Sequence, residues 1–328
     1  MSECLSLVLL TFFLLMAELV YFRIAEKCNI IDKPNLRSSH TCVTLRGGGI
    51  IFLLGIWSYT ALYGCIYPYF LIGVTLISGI SFIDDLRSVP NWLRLCVHFV
   101  SIFFMFQDLE LVAESGWIII PALIFCVGVI NAFNFMDGIN GITGGYALSV
   151  LLPLLYLNHF YAFIDNRLLI VVIESVLVFC AFNFRKKAKC FAGDVGAVGI
   201  AFIILFLLGK LVLYTHNLTY LLLLAVYGVD TGLTIIHRIM LHENLGEAHR
   251  KHLYQLMANE LKIPHVLVSS FYMLLQLVIS FGLICLPVND WGYFFTVFAM
   301  LIIVYILFMK KHYHLHREYL ENKKIELI

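Results

Sequence analysis

The feature that most constrains this chain is a succession of apolar runs, most of them near twenty residues, separated by short polar loops. A helix needs about 20 apolar residues to cross the hydrocarbon core of a bilayer. The runs fall at about 5–22, 47–66, 69–83, 93–107, 116–133, 142–160, 167–182, 195–213, 218–236, 265–286 and 291–309. Eleven such spans use roughly 220 residues. The remainder of the 328-residue chain suffices for loops and not for a second soluble domain. The expectation is therefore a single integral-membrane domain over 1–328, an all-α polytopic transmembrane helical bundle of about 11 spans. Composition agrees, with 61% hydrophobic and 13% charged residues, about half the usual charged fraction of a soluble domain. That excludes a disordered chain, a basic nucleic-acid binder and a small disulfide scaffold. The runs 69–83 and 93–107 are short, so they must end in polar surroundings or continue as helix beyond the lipid.

The loops alternate in charge. Segments 23–46, 84–94, 183–194 and 237–264, with the tail 310–328, hold 20 of the 22 Lys and Arg residues; only Arg167 and Lys210 fall between them on the other side. The positive-inside rule places the basic segments in the cytoplasm. The N-terminus is then outside, the C-terminus is cytoplasmic, and the span count is odd. The first run has no basic region before it and no small-residue cleavage site after it, so it is expected to stay as a span. The nine cysteines are scattered without a C-x-x-C pair, and are expected to be buried, reduced thiols.

The chemistry-bearing residues gather in the same loops. The first group holds Arg37, His40 and Arg46, followed by three glycines at 47–49. Arg and His are phosphate-type donors, and consecutive glycines let backbone N–H groups approach an anion. In the second group Asp84 and Asp85 end a span side by side, where like charges repel unless a cation compensates. A hard divalent ion, or proton abstraction from an acidic substrate, would account for them. The third group, in the loop 134–145, holds Asn134, Asp137 and Asn140 at three-residue spacing, which on a helix shares one face. Glycines follow at 138, 141, 144 and 145. The fourth, in 183–199, is a basic stretch followed by Asp194 at the start of a span. An Asp there is a good helix N-cap, and could equally offer a carboxylate to Mg²⁺. No G-x-G-x-x-G or Walker A pattern is present. The fifth, in 237–264, follows Asp230, Thr234 and Arg238, which share a helix face, and includes His249, Arg250, Lys251 and His252. Its histidine spacing matches no common zinc pattern. Several carboxylates, glycine turns and cationic donors on one face suit a polyphosphate substrate with a divalent metal. A site set at the membrane suggests that a second reactant is a lipid.

The Asn131–Gly141 and Phe191–Gly199 runs, the Asp84-Asp85 pair and the stretch His249–Gln255 resemble the polyprenyl-phosphate N-acetylhexosamine-1-phosphate transferases, glycosyltransferase family 4. That family includes the phospho-MurNAc-pentapeptide translocase and the enzymes that start O-antigen and teichoic acid synthesis. The last stretch looks closest to the O-antigen and capsule branch. The resemblance implies transfer of an N-acetylhexosamine 1-phosphate from a UDP-sugar to undecaprenyl phosphate, releasing UMP, at the cytoplasmic face of the inner membrane. It implies Mg²⁺, with Mn²⁺ as a substitute, as the cofactor, and a homodimer as the assembly. It assigns Asp194 and Asp137 to the metal, Asp84 and Asp85 with Asp137 to catalysis, and Asn134, Asn140, Arg37, His40, Arg46, His249, Arg250 and His252 to substrate. Many family members carry Asp where this chain has Asn140, which keeps an acceptor and loses a charge. The alternatives are the MurNAc-pentapeptide substrate of peptidoglycan synthesis or, in another class, a transporter or flippase using Glu18, Glu174 and Asp230. A haem carrier would need histidine pairs deep in facing spans, and His98, His159 and His265 lie near span ends.

Overall fold

A computed structural model describes residues 3–34, 39, 42–113, 116–246 and 249–326, with side chains between Leu5 and His316. Eleven long helical segments stand where the apolar runs are. They are α1 (Glu3–Lys27), α2 (Ile50–Tyr63), α3 (Pro68–Leu86), α4 (Asn91–Asp108), α5 (Gly116–Met136), α6 (Ile142–Tyr161), α7 (Asn166–Asn183), α8 (Gly193–Thr215), α9 (Ala225–Met240, entered through a 3-10 turn Leu218–Leu224), α11 (His265–Cys285) and α12 (Asp290–Glu326). A one-turn helix, α10 (Leu253–Gln255), lies between α9 and α11 and runs into a π-turn, Leu256–Glu260. A two-stranded antiparallel ladder, β1 (Ile31–Asp32) and β2 (Thr44–Leu45), precedes α2. By length and composition eight of the helical segments are long and apolar enough to cross a membrane. The others are α2, which is short, α4, which carries an amphipathic pattern, and α6, which holds Pro153, Asn158 and His159. The two short runs do extend as helix: α3 reaches Leu86 and α4 reaches Asp108.

Burial explains the arrangement. Helix α8 is apolar on every face and sits in the middle, packed by α2, α3, α5 and α6. A helix without a polar face has no place at a water-facing surface. Helices α1, α5 and α12 instead turn Val8, Phe12, Trp117, Ile124, Phe295 and Met300 outward, the disposition of lipid-facing helices.

A helix broken inside a membrane must have its freed backbone groups satisfied by protein. At the junction of the 3-10 turn and α9, Gln276 of α11 does this. Its Nε2 donates to Leu222 O at 3.0 Å, and its Oε1 accepts from Val226 N at 3.1 Å and from the Tyr146 hydroxyl at 2.9 Å. Tyr146 and Tyr227 stack at 3.5 Å beside it, tying α6 to α9.

The cysteine expectation is half right. No disulfide joins the eight described cysteines, but only Cys126 and Cys190 are buried, whereas Cys28, Cys42, Cys65, Cys96 and Cys285 are exposed. Cys28, Cys42 and Cys65 lie in loops between helices, where no packed core is at hand to bury them.

Candidate active site

The site forms at one end of α8, where loops far apart in sequence are bonded together through backbone. Leu45 pairs in parallel with Cys190, and Phe191 N donates to Leu45 O at 2.8 Å. Gly48 N and Gly49 N then donate to the carbonyls of Phe191 and Ala192. This brings α2 and α8 into backbone contact: a Cβ on Gly49 would lie 2.2 Å from the Gly196 Cα. The glycines after Arg46 and those around Asp194 are therefore two halves of one joint.

Three carboxylates and two arginines meet above that joint. The Asp85 side chain is wholly buried, at 0% exposure, and its oxygens accept from Asp194 N and Val195 N at 3.0 Å each and from Arg46 Nε at 2.6 Å. The N-terminal amides of α8 are thus capped by a carboxylate from α3, not by Asp194, and the N-cap expectation for Asp194 fails: Ala192 occupies that position without a side-chain bond. An anion at a helix N-terminus is favoured by the orphan amides and by the helix dipole. Asp84 turns the other way. It accepts from Val89 N at 2.7 Å and from Arg94 Nη1 at 2.9 Å, and so closes the α3–α4 turn. Asp194, 19% exposed, meets Arg46 at 3.3 Å and Arg94 at 3.6 Å, and its carboxyl lies within hydrogen-bonding reach of Asp84. Arg94 was not singled out in the sequence. It stands ten residues from its partner Asp84 across a turn, a spacing with no local signature.

The third loop is not a continuous helix. Helix α5 stops at Met136, and a turn runs to Gly141, whose φ of +85° belongs to the left-handed region that favours glycine. Asn134 stays half-buried on the last turn of α5, and Asp137 is half-buried at the start of the turn. Asn140 does not share their face. It is buried, and its Nδ2 donates to the carbonyls of Arg185 and Lys186 at 2.9 and 3.2 Å. Asn140 therefore fastens the basic loop to the end of the turn. Asn183 ties the same two loops, accepting from Gly141 N and donating to Cys190 O, each at 2.8 Å. Burial pushes the pKa of the Asp137 carboxyl up to about 6, against the pull of the Thr143 hydroxyl at 2.6 Å. Asp85 raises it further and Arg46 lowers it, so Asp137 lies within electrostatic reach of the arginine–carboxylate group.

The fifth loop closes over the end of α5. The Tyr254 hydroxyl donates to Phe135 O at 2.9 Å, and the rings of His249 and His252 lie 6.2 and 6.3 Å from that of Phe135. The shared face of Asp230, Thr234 and Arg238 is present and wholly buried. Arg238 donates to the carbonyls of Asn244 and Leu245, and Glu243 is held by Arg238 and Lys251. Burial, with His252, Arg238 and Lys251 nearby, pushes His249 down to about 3, so its ring is neutral at ordinary pH. Arg250 is half-buried. Arg37 and His40 lie outside the described residues.

Residues 67–212 match glycosyl transferase family 4. Over 317 residues, 87% of this chain and 85% of the relative, the chain is 27% identical to the probable undecaprenyl-phosphate N-acetylglucosaminyl 1-phosphate transferase of Bacillus subtilis (strain 168). It is 28% identical over 218 residues, 58% of this chain and 67% of the relative, to the phospho-N-acetylmuramoyl-pentapeptide-transferase of Thermotoga maritima. It is 25% identical over 232 residues, 61% of this chain and 60% of the relative, to the undecaprenyl-phosphate alpha-N-acetylglucosaminyl 1-phosphate transferase of Escherichia coli (strain K12). With its bundle of apolar helices and the cluster at the start of α8, the chain is a multi-pass membrane transferase. Its likeness to glycosyl transferase family 4 runs over residues 67–212, which take in α3 to α7 and most of α8.

Proposed function

We propose that this chain transfers an N-acetylhexosamine 1-phosphate from a UDP-sugar to undecaprenyl phosphate. An oxygen of the lipid phosphate attacks the sugar-bearing phosphorus of the donor. The bond from that phosphorus to the oxygen bridging it to UMP breaks, and UMP leaves. The product is a lipid diphosphate sugar that starts a surface glycan of the O-antigen, lipopolysaccharide or capsule kind. The site faces the cytoplasm, where the basic loops gather, with the N-terminus outside. The observation that carries this reading is the convergence of Arg46, Arg94, Asp84 and Asp194 with the Asp137 turn and the His249–His252 loop around one end of α8.

The donor set suits a hard divalent cation. The carboxyls of Asp194, Asp84 and Asp137 and the amide of Asn134 are all oxygen donors, and the nearby Cys190 thiol is buried against Glu18 instead. Among the described residues no three His, Cys, Asp or Glu side chains form a cluster that could hold a metal. Mg²⁺ needs no such cluster: it is commonly held by one or two carboxylates, with water and substrate phosphate completing its shell. Asp194 and Asp137 would hold it, and when bound it would neutralise charge on the donor diphosphate. Arg46 and Arg94, about one-third exposed, would bind phosphate oxygens and hold the two reactants in line. A lipid phosphate is already largely ionised near neutral pH, so Asp84 and Asp85 need not remove a proton.

The test is UMP release by the purified protein with undecaprenyl phosphate, Mg²⁺ and a panel of UDP-N-acetylhexosamines that also includes UDP-MurNAc-pentapeptide, with and without EDTA. EDTA-sensitive UMP from an N-acetylhexosamine donor is expected. Release from the pentapeptide donor alone would transfer the protein to peptidoglycan synthesis. Folded protein that releases no UMP from any donor would overturn the reading.

A further inference from the structure

The histidine loop is held from beneath by a carboxylate that does not line the phosphate cluster. Asp230 lies on α9 at 3% exposure. Its Oδ1 takes Leu253 N at 3.0 Å, His252 Nδ1 at 3.3 Å and the Thr234 hydroxyl at 3.3 Å. Its Oδ2 takes the Tyr272 hydroxyl at 2.7 Å and Tyr254 N at 3.4 Å. Backbone N–H groups can only donate, and one stands on each oxygen, so both oxygens act as acceptors. As a carboxylate Asp230 has only acceptors to offer, which puts the proton it shares with His252 on Nδ1 of the imidazole. The opposite ring nitrogen, Nε2, is buried and has no hydrogen-bond partner among the described residues. A buried polar atom without a partner is uncommon and calls for an explanation. The His252 ring stands 4.9 Å from that of His249 and 6.3 Å from that of Phe135, over the last turn of α5 that leads into Asp137.

We infer that Asp230 is a positioning residue: it caps α10 and fixes His252 as the Nδ1–H form, so that Nε2 is the atom offered to the bound donor. The inference rests on the proposed transfer reaction for what Nε2 meets, and on the hydrogen bonds of Asp230 alone for the tautomer. The same helix face serves both ends of the loop, because Arg238, two turns along α9, grips the carbonyls of Asn244 and Leu245. Helix α9 thereby works as a rail on which the loop is mounted. A carboxylate that orients a histidine through its far nitrogen acts without touching substrate, and loss of such a partner commonly costs about 10–100-fold in function.

Two measurements test this, and they fail separately. The first is the ¹⁵N spectrum of the full-length protein with labelled histidine, without substrate, with His252 assigned by its loss in His252→Gln. A protonated Nδ1 and a bare Nε2 are expected in the wild type, with the other tautomer gaining in Asp230→Asn. A wild-type ring protonated on Nε2 alone would overturn the inference whatever the enzyme does. The second is a double-mutant cycle on UMP release. Asp230→Asn and His252→Gln are each expected to lower kcat/KM on the order of 10–100-fold, and Asp230→Asn to cost little more in the His252→Gln background. Full additivity of the two losses would show that Asp230 acts by another route.

Discussion

Replacing Asp85 by alanine separates a structural carboxylate from a chemical one. The side chain is fully enclosed and makes three charge-assisted bonds, to Arg46 Nε at 2.6 Å and to two amides of α8 at 3.0 Å. Single bonds of this type contribute about 1.5–3 kcal/mol, and the three do not add, because they share one desolvated carboxylate. Removing one partner of a buried pair costs about 3–5 kcal/mol. Arg46 keeps its contact with Asp194 at 3.3 Å, which places Asp85→Ala near the lower end, about 3 kcal/mol. The neighbouring Asp84, 14% exposed, accepts from Val89 N and Arg94 at the surface of the site, so Asp84→Ala should cost about 1–2 kcal/mol. Unfolding of both variants by SDS in mixed micelles, followed through the four tryptophans, would give the two free energies. The expected order is wild type, then Asp84→Ala, then Asp85→Ala. If Asp85→Ala unfolded like the wild type while turnover collapsed, the capping role would be refuted and Asp85 would belong to the chemistry.

Other outcomes follow from the same contacts. Gly49→Ala should fail to give a monodisperse protein on gel filtration, because its methyl would sit 2.2 Å from the Gly196 Cα, a backbone atom that cannot step aside. Asn140→Asp should loosen the 185–189 loop, read as faster proteolysis there, because a carboxylate would face the carbonyls of Arg185 and Lys186. Asp137 supplies the pH dependence. Its folded value of about 6 is raised by burial, so the protonated form favours the fold, and that contribution fades as pH rises through about 6. Activity that needs the carboxylate rises through the same window. At limiting Mg²⁺ the acid limb should therefore lie near pH 6 and move down as Mg²⁺ is raised; a limb indifferent to both Mg²⁺ and Asp137→Asn would exclude this residue. Asp194→Ala should fold and lose UMP release without rescue by added Mg²⁺.

The spans were legible because a bilayer demands about twenty apolar residues whatever packs against them. Helix α12 was read only as far as its apolar part. Its 37 residues rise about 55 Å, well past a hydrocarbon core, and the charged second half carries no apolar period to announce a helix. The site was legible as a list and not as a set of contacts. Asp84 and Asp85 look like a repelling pair in sequence. Adjacent residues on a helix point about 100° apart, and here one serves the α4 turn and the other serves α8. Asn140 looked like part of a polar face because three-residue spacing presumes a helix, and the helix ends at Met136. Asp230 was noticed for its face on α9, but its partners at 252–254 come from a loop some twenty residues further on.

The α8 cap sets a schedule for biogenesis. Asp85 and the amides it receives are separated by 109 positions in the chain. At a synthesis rate of about 5–20 residues per second, roughly 5–20 s pass between the emergence of α3 from the ribosome and that of the helix it caps. During that interval Arg46, already made, is the partner on hand for a carboxylate that will finish buried. When α8 arrives it must enter between helices already delivered to the membrane and meet Gly49 backbone to backbone. The nascent bundle therefore has to stay open along the α2–α3 side until its central helix is released. A stall in translation between those two points would leave the half-made protein with its keystone missing and its anionic socket waiting.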